Sequence, residues 1–150
     1  VTFGVDVGDW VKKAKLNNEE VVRSVSLKLF TGIIKSSPVD EGTFRNNWFV
    51  SGNSPSNEVW PNNSGGSEGI ILQRTETSIK QLVDWTSITF TNNLPYAEVI
   101  EYGGYPVGNI RGTESKVTFQ GFSKQAPKGV VRTNSKRFNS LIEQEARKVR

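Results

Sequence analysis

Apolar and polar residues alternate at the start of the chain. Val1, Phe3, Val5 and Val7 fall on one side and Thr2, Gly4, Asp6 and Gly8 on the other, the period-two signature of a half-buried strand. A short helical piece is expected over 9–16. Asn17 then stands three residues before Glu20, a capping-box spacing with Asn in place of the usual Ser or Thr, so a long helix should start there. It should run to about Lys35, because Ser37 precedes Pro38 and is biased out of the helical region. On a helical wheel Val21, Val22, Val25, Leu27, Leu29, Phe30, Ile33 and Ile34 cover far more than a core stripe, leaving Ser24, Lys28, Thr31 and Lys35 as a polar strip. A domain of this size has little else to cover so broad a face. The helix is therefore expected to give part of it, Val21, Val25, Leu27, Phe30 and Ile34, to a neighbouring subunit.

Further along, a short strand is expected over 48–50, followed by a Gly-, Ser-, Asn- and Pro-rich loop over 51–69 broken only by Val59 and Trp60. Ile71, Leu72, Ile79, Leu82 and Val83 suit a second helix over 70–83. Ile88 and Phe90, opposite Ser87, Thr89 and Thr91, mark the clearest strand. A short helix should open near Pro95, capped by Asn92, with Tyr96, Val99 and Ile100 turned inward, and end at Gly103-Gly104. Residues 104–123 read as a second loop, with Val117 and Phe119 at strand spacing in a projecting hairpin or arm. A last helix should begin near Pro127 and continue to the end, with Val131, Phe138, Ile142, Ala146 and Val149 on one face. No internal repeat occurs. The fold class this implies is α+β: a small, mostly antiparallel sheet against a long N-terminal and a C-terminal helix, with long polar loops, in one domain spanning 1–150. A chain of 150 residues can bury roughly 70% of its unfolded surface in one core.

Composition narrows the chemistry. The chain has no cysteine and no histidine, which removes disulfides, thiolate nucleophiles, imidazole bases and the commonest ligands of zinc, copper and haem. No cofactor or metal site is expected. No stretch approaches the ~18 consecutive apolar residues of a membrane span, and the first ten residues lack the pattern of a signal peptide, so a soluble, cytoplasmically made protein is expected. The net charge of +4 is uneven: eight basic residues stand against two acidic ones from Lys124 to Arg150, and 11 against 13 before. If 127–150 is one helix, Arg132, Lys136, Arg147 and Arg150 lie within about 60° of one another as a basic stripe.

Carboxylate catalysis would need a pair sharing one space. Glu19/Glu20 and Asp40/Glu41 are sequence neighbours that diverge, and Glu98/Glu101 is a lone i,i+3 pair of the kind a solvated helix face provides. Asn63-Ser64-Gly65-Gly66 lacks the Lys-Ser/Thr of a phosphate-binding loop. Trp10, Trp48, Trp60 and Trp85 stand mostly beside acidic residues, which favours packing over base stacking.

Three segments carry a resemblance. Ser36-Ser37-Pro38-Val39-Asp40-Glu41-Gly42-Thr43-Phe44-Arg45-Asn46-Asn47-Trp48 resembles the "S-P-V-D-T-G-x-L-R-x-S-W" that follows the long N-terminal helix in small neck and tail-completion proteins of tailed bacteriophages. Glu41, Phe44 and Asn47 stand where that pattern has Thr, Leu and Ser. Residues 88–103, with Asn92, Pro95, Tyr96, Glu101, Tyr102 and Gly103, are similar to "I-x-N-x-x-P-Y-A-x-x-x-E-Y-G". Gln125-Ala126-Pro127-Lys128-Gly129-Val130-Val131 is similar to the "A-P-x-G-x-V" that opens the last helix, and the three blocks keep the family's order.

The resemblance implies a virion structural protein and no enzymatic activity: a subunit of a homo-oligomeric ring, six copies by analogy, completing the tail and joining it to the DNA-filled head. Its partners would be adjacent neck, portal-adaptor, tail-terminator or tube proteins, with packaged DNA close by and no membrane. Other tail positions, including tail terminator, share this architecture. A nucleic-acid-binding module using the basic C-terminal segment and a carboxylate enzyme are the alternatives. On the ring reading, loops 51–69 and 104–123 are expected to order only on assembly, and the basic stripe to dock on an acidic neighbouring ring. The motif residues also make local sense: Pro38 and Gly42 bracket a tight helix exit, Asp40 can accept from amides ahead of it, and Trp48 can anchor the next strand.

Overall fold

The computed structural model describes residues 1–6, 18–61, 66–106 and 116–149. The expected helical piece over 9–16, the Asn17 cap, Trp10, Arg150 and parts of both loops lie outside these residues. The fold is α+β. Strand β1 (Thr2–Asp6) is followed by α1 (Asn18–Ser36), α2 (Thr43–Asn46), β2 (Phe49–Gly52), α3 (Glu68–Gln81), β3 (Ser87–Thr91), α4 (Ala97–Tyr102), α5 (Val131–Ser135) and α6 (Phe138–Lys148).

The three strands form one antiparallel sheet in the order β1-β3-β2, with Phe3 opposite Phe90 and Val50 opposite Phe90. β3 is therefore central, and it is buried on both faces: Ile88 and Phe90 on one, Thr89 and Thr91 on the other. Phe90 is the hub of the inner face. Its ring stacks on Phe30 of α1 at 4.2 Å between centroids and on Trp48 at 4.9 Å. Trp48 is buried, as the motif led us to expect, and its indole N–H donates to Ser37 Oγ at 2.9 Å, tying the strand to the exit from α1. A polar atom buried this deeply needs such a partner.

The expectation that α1 lends Val21, Val25, Leu27, Phe30 and Ile34 to a neighbouring subunit is corrected. Val21, Val25, Phe30 and Ile34 are each no more than 3% exposed in the isolated chain, and Leu27 is half-buried against the same core. The reason is layering. α1 lies over the sheet through Phe30 and is flanked by α3 on one side and by α5 and α6 on the other, so its apolar face finds cover within the chain except at Leu27, which keeps part of its surface open. Burial of this kind contributes roughly 1.5–3 kcal/mol per large side chain.

Arginine side chains brace these helices. Helices end with carbonyls that lack intrahelical partners and carry partial negative charge. Arg23 of α1 donates to the carbonyl oxygens of Ile79 and, at 2.7 Å, Leu82 at the end of α3, while its guanidinium lies over Trp85. Arg74 of α3 donates at 2.9 Å to the carbonyls of Asn46, the last residue of α2, and of Trp48 just beyond it.

The loop after β2 departs from expectation where it is described. Residues 53–61 are fastened to the domain: Asn47 exchanges two side-chain hydrogen bonds with the backbone of Trp60, and Asn93 Nδ2 donates to the carbonyls of Ser56 and Glu58. Trp60 meets Phe49 edge-on at 5.4 Å and carries the Arg74 guanidinium 4.3 Å from its ring centroid. Burial lowers the Arg74 pKa from its ordinary value, against an opposing pull from Glu58. Ser54 O accepts from the Thr89 hydroxyl at 3.4 Å, so this segment reaches the face of β3 that the helices leave open. A reaching element that orders only on assembly does not describe these residues.

The last helix is also corrected. Residues 131–148 form two helices, parted at Lys136 and Arg137, because Asn134 turns inward to donate to Ser36 Oγ and to the Val130 carbonyl. α6 then buries Leu141 and Glu145, whereas Phe138, Ile142, Ala146 and Val149 of the expected face are only half-buried. Glu145 bonds Lys28 of α1 and, at 3.0 Å, Lys148. The Lys28 bond leads in holding its carboxyl below the ordinary value, with burial opposing.

Candidate assembly surface

The three segments quoted for the resemblance pack against one another. Between the first and second, Asn92 Nδ2 donates to the Phe44 carbonyl at 2.9 Å, and Phe44 packs against Trp48 at 5.7 Å and Tyr96 at 6.3 Å. Asn92 Oδ1 accepts from the Leu94 amide, so it shapes the turn before α4 and does not cap the helix itself. Between the first and third, the Gln125 side-chain amide pairs with both backbone groups of Val39, each bond 2.8 Å.

Between the second and third lies the tightest junction. Glu101 is 3% exposed, and its carboxylate accepts the amides of Val130, Val131 and Arg132 at 2.7, 2.8 and 2.9 Å. These are the orphan donors of the first turn of α5, capped here by a residue of another helix. Arg132 completes the arrangement: Nε reaches Glu101 Oε1 at 3.1 Å, Nη2 reaches the Glu101 carbonyl at 2.6 Å, and the guanidinium stands 5.0 Å from the Tyr102 ring centroid. Gly129, at φ 82°, fits because a Cβ there would come within 2.5 Å of the Glu101 carbonyl oxygen. Gly103 ends α4 at φ 77°, where a Cβ would meet the Phe122 ring at 2.8 Å.

This junction revises several expectations. The Glu98/Glu101 pair does not share a space, since Glu101 is sealed inside and Glu98 is exposed. Arg132 is committed to Glu101 and Tyr102, Arg147 lies 4.0 Å from Glu143, and the break at Lys136 removes the single wheel on which the basic stripe was drawn. Lys136 remains exposed, on the turn between α5 and α6. Asp40 binds Lys116 Nζ at 2.9 Å in place of amides ahead of it. Tyr96 points outward, 42% exposed, while Ala97 and Glu101 take the inward positions of α4. Burial, and then Glu41 nearby, raise the Tyr96 phenol above its ordinary pKa. Pro38 is half-buried, Gly42 is buried at φ 89° before α2, and Pro95 and Pro127 are exposed on turns.

Where the three blocks meet, a groove of about 380 Å³ opens, lined chiefly by Pro38, Tyr96, Val99, Ile100, Tyr105 and Val117. A second hollow of about 250 Å³ continues past Pro38, Tyr96 and Ile100 to Glu41 and Phe44. Beside them a small hairpin is held by a bridge between Val117 and Ser123, and Gly104 and Tyr105 donate to the carbonyls of Gln120 and Gly121. Its turn is closed by the Gly121 amide on the Thr118 carbonyl, which puts Phe119 at the tip, 95% exposed. Phe119 was expected to share a strand face with Val117. The Gln120-Gly121 step was the available signal that it would sit in a turn instead.

No protein-family model matches the chain, and no curated protein or solved structure matches it either. Among the described residues, no helix is long and apolar enough to cross a membrane, and no three His, Cys, Asp or Glu residues are grouped to hold a metal ion.

Proposed function

We propose that this chain is a structural subunit of a tailed-bacteriophage neck, acting without catalysis in a ring that completes the tail and joins it to the DNA-filled head. The observation that carries the reading is the convergence of the three resembling segments. Lying up to 95 positions apart in sequence, they supply each other's partners: Asn92 to Phe44, Gln125 to Val39, and Glu101 to the amides of Val130, Val131 and Arg132. The residues quoted for the resemblance thus have a shared physical task, and together they border a groove lined by the exposed Tyr96, beside the hairpin that carries the exposed Phe119. Exposed aromatic groups gathered on one surface mark a protein-binding face.

Six copies per ring, residence in the virion neck and synthesis in the host cytoplasm belong to the same proposal. Portal-adaptor, tail-terminator or tube proteins would be the axial neighbours. The test is mass measurement of the purified chain alone and with neck proteins, together with electron microscopy of particles made without it. Filled heads and separate tails in its absence, and a ring in complex with neck proteins, are the expected results. Normal joining of heads to tails without the chain would refute the proposal.

A further inference from the structure

We infer that the groove between α1 and α3 receives the Lys136-Arg137 turn of a second copy. The inference rests on the ring reading proposed above and names a contact that would build the ring. The groove, of about 470 Å³, lies where the start of α1 faces the end of α3. Glu20, Ser24 and Leu27 follow one another along its α1 wall at helical spacing, and Leu27 keeps part of its surface open there. Both cations on its walls are already committed, Arg23 to the carbonyls of Ile79 and Leu82 and Lys80 to Glu76. Glu19 and Glu20 stand exposed on the rim, with no ion pair among the described residues. Carboxylates above an apolar floor suit a lysine or arginine, whose stem packs on the floor while its charged head reaches the rim.

A second copy supplies that chemistry. Lys136 and Arg137 are exposed on the turn between α5 and α6 and form no ion pair among the described residues. Arg137 Nη1 lies 3.2 Å from where a side chain at Gly32 would begin, and Lys35, exposed and likewise without an ion pair, follows one turn on. Of the acids just after α1, Asp40 is bound to Lys116 and Glu41 lies near Tyr96. One end of α1 therefore carries a basic surface and the other an acidic groove. From Glu20 to Lys35 the helix rises about 22 Å, so the two surfaces cannot meet within one copy. Between copies they make a heterologous contact, which repeats head to tail and closes into a ring where the rotation allows. Opposite charges across such a contact set its register and reject wrong partners.

Sedimentation of the purified full chain at low salt, over a range of concentrations, tests this. The wild type should self-associate, and more weakly as salt rises. Reversing the rim with Glu19→Lys and Glu20→Lys should weaken self-association about tenfold or more, and so should Lys136→Glu with Arg137→Glu. All four positions are exposed, and Glu19→Gln with Glu20→Gln is the milder form, expected to weaken association about threefold, should the reversal disturb the first turn of α1. Mixing the two reversed variants pairs a basic groove with an acidic turn and an acidic groove with a basic turn, so association should return with equal numbers of each. A wild type that stays monomeric overturns the inference and leaves the groove to a basic segment of another protein. Self-association indifferent to either reversal, or not restored by mixing, overturns it too. None of these results decides whether heads join tails without the chain, so failure here and failure of the neck proposal are separately visible.

Discussion

Replacing Glu101 by alanine should be among the most damaging single changes in this protein, although the residue sits on a six-residue helix beside the surface. The carboxylate accepts three backbone amides and the Arg132 Nε. Val130 and Val131 are buried, so two of those donors would lose their partner with little access to water, at about 1–3 kcal/mol each. The third belongs to Arg132, whose side chain is 52% exposed, and water can replace that partner cheaply. Loss of packing at a buried position adds to this. The two amides alone come to about 2–6 kcal/mol, a large part of the 5–15 kcal/mol typical of a whole domain. Glu101→Gln keeps one acceptor oxygen and should cost about half as much. Arg132→Ala removes a half-exposed partner and should cost about 1 kcal/mol. Urea unfolding of the three variants, with unchanged denaturant slope, gives these numbers directly. A cost for Glu101→Ala no larger than that for Arg132→Ala would show that the carboxylate is not the cap of α5.

Further expectations concern the helix layer and the loop. The Glu145 carboxyl is held below its ordinary value chiefly by Lys28, so the stability it contributes is complete above the unfolded value near 4.5 and is lost as pH falls through the lower folded value. Unfolding midpoints of Glu145→Gln against pH should therefore lack part of the acid-side slope; an unchanged slope would count against the Lys28 contact. Trp60→Ala should cost about 2 kcal/mol through its contacts with Phe49 and Arg74 and should speed hydrogen exchange at residue 60, whose amide donates to Asn47 Oδ1. Exchange at that amide as fast in the wild type as in a free peptide would mean that the loop is not fastened.

The elements that could be read from sequence are those whose signal is local. The strands over 2–6 and 87–91 follow from alternation, and α1 from its breadth of apolar positions and the stop before Pro38. What covers α1 is not local: the same Val21, Phe30 and Ile34 suit a subunit interface or an internal helix, and only the arrangement of α3, α5, α6 and the sheet decides for the latter. The split at Lys136 left a faint trace in Thr133-Asn134-Ser135, a run of weak helix formers, but the inward turn of Asn134 depends on Ser36, 98 residues away. Glu101 stood in a quoted motif, yet its burial depends on amides that follow Gly129. Buried carboxylates are rare enough that exposure is the natural expectation.

The basic character of the C-terminal segment bears on the nucleic-acid alternative. Of its described cations, Arg132 is held by Glu101, Lys148 by Glu145, and Arg147 lies near Glu143. Lys124, Lys128, Lys136 and Arg137 are exposed and form no ion pair among the described residues, and they fall in two separate turns, before α5 and between α5 and α6. Each phosphate neutralised on duplex DNA steepens the dependence of log affinity on log salt by about 0.9, so these four allow a slope no steeper than about −4. A single turn engaged at a time would give about −2. Fluorescence anisotropy with a labelled duplex across salt concentrations should accordingly find weak binding with a shallow slope. Reversing Lys136 and Arg137 to Glu should flatten it by no more than about 2. A wild-type slope near −6 would require a continuous basic surface. That result would restore nucleic-acid binding as the better account of the chain's charge.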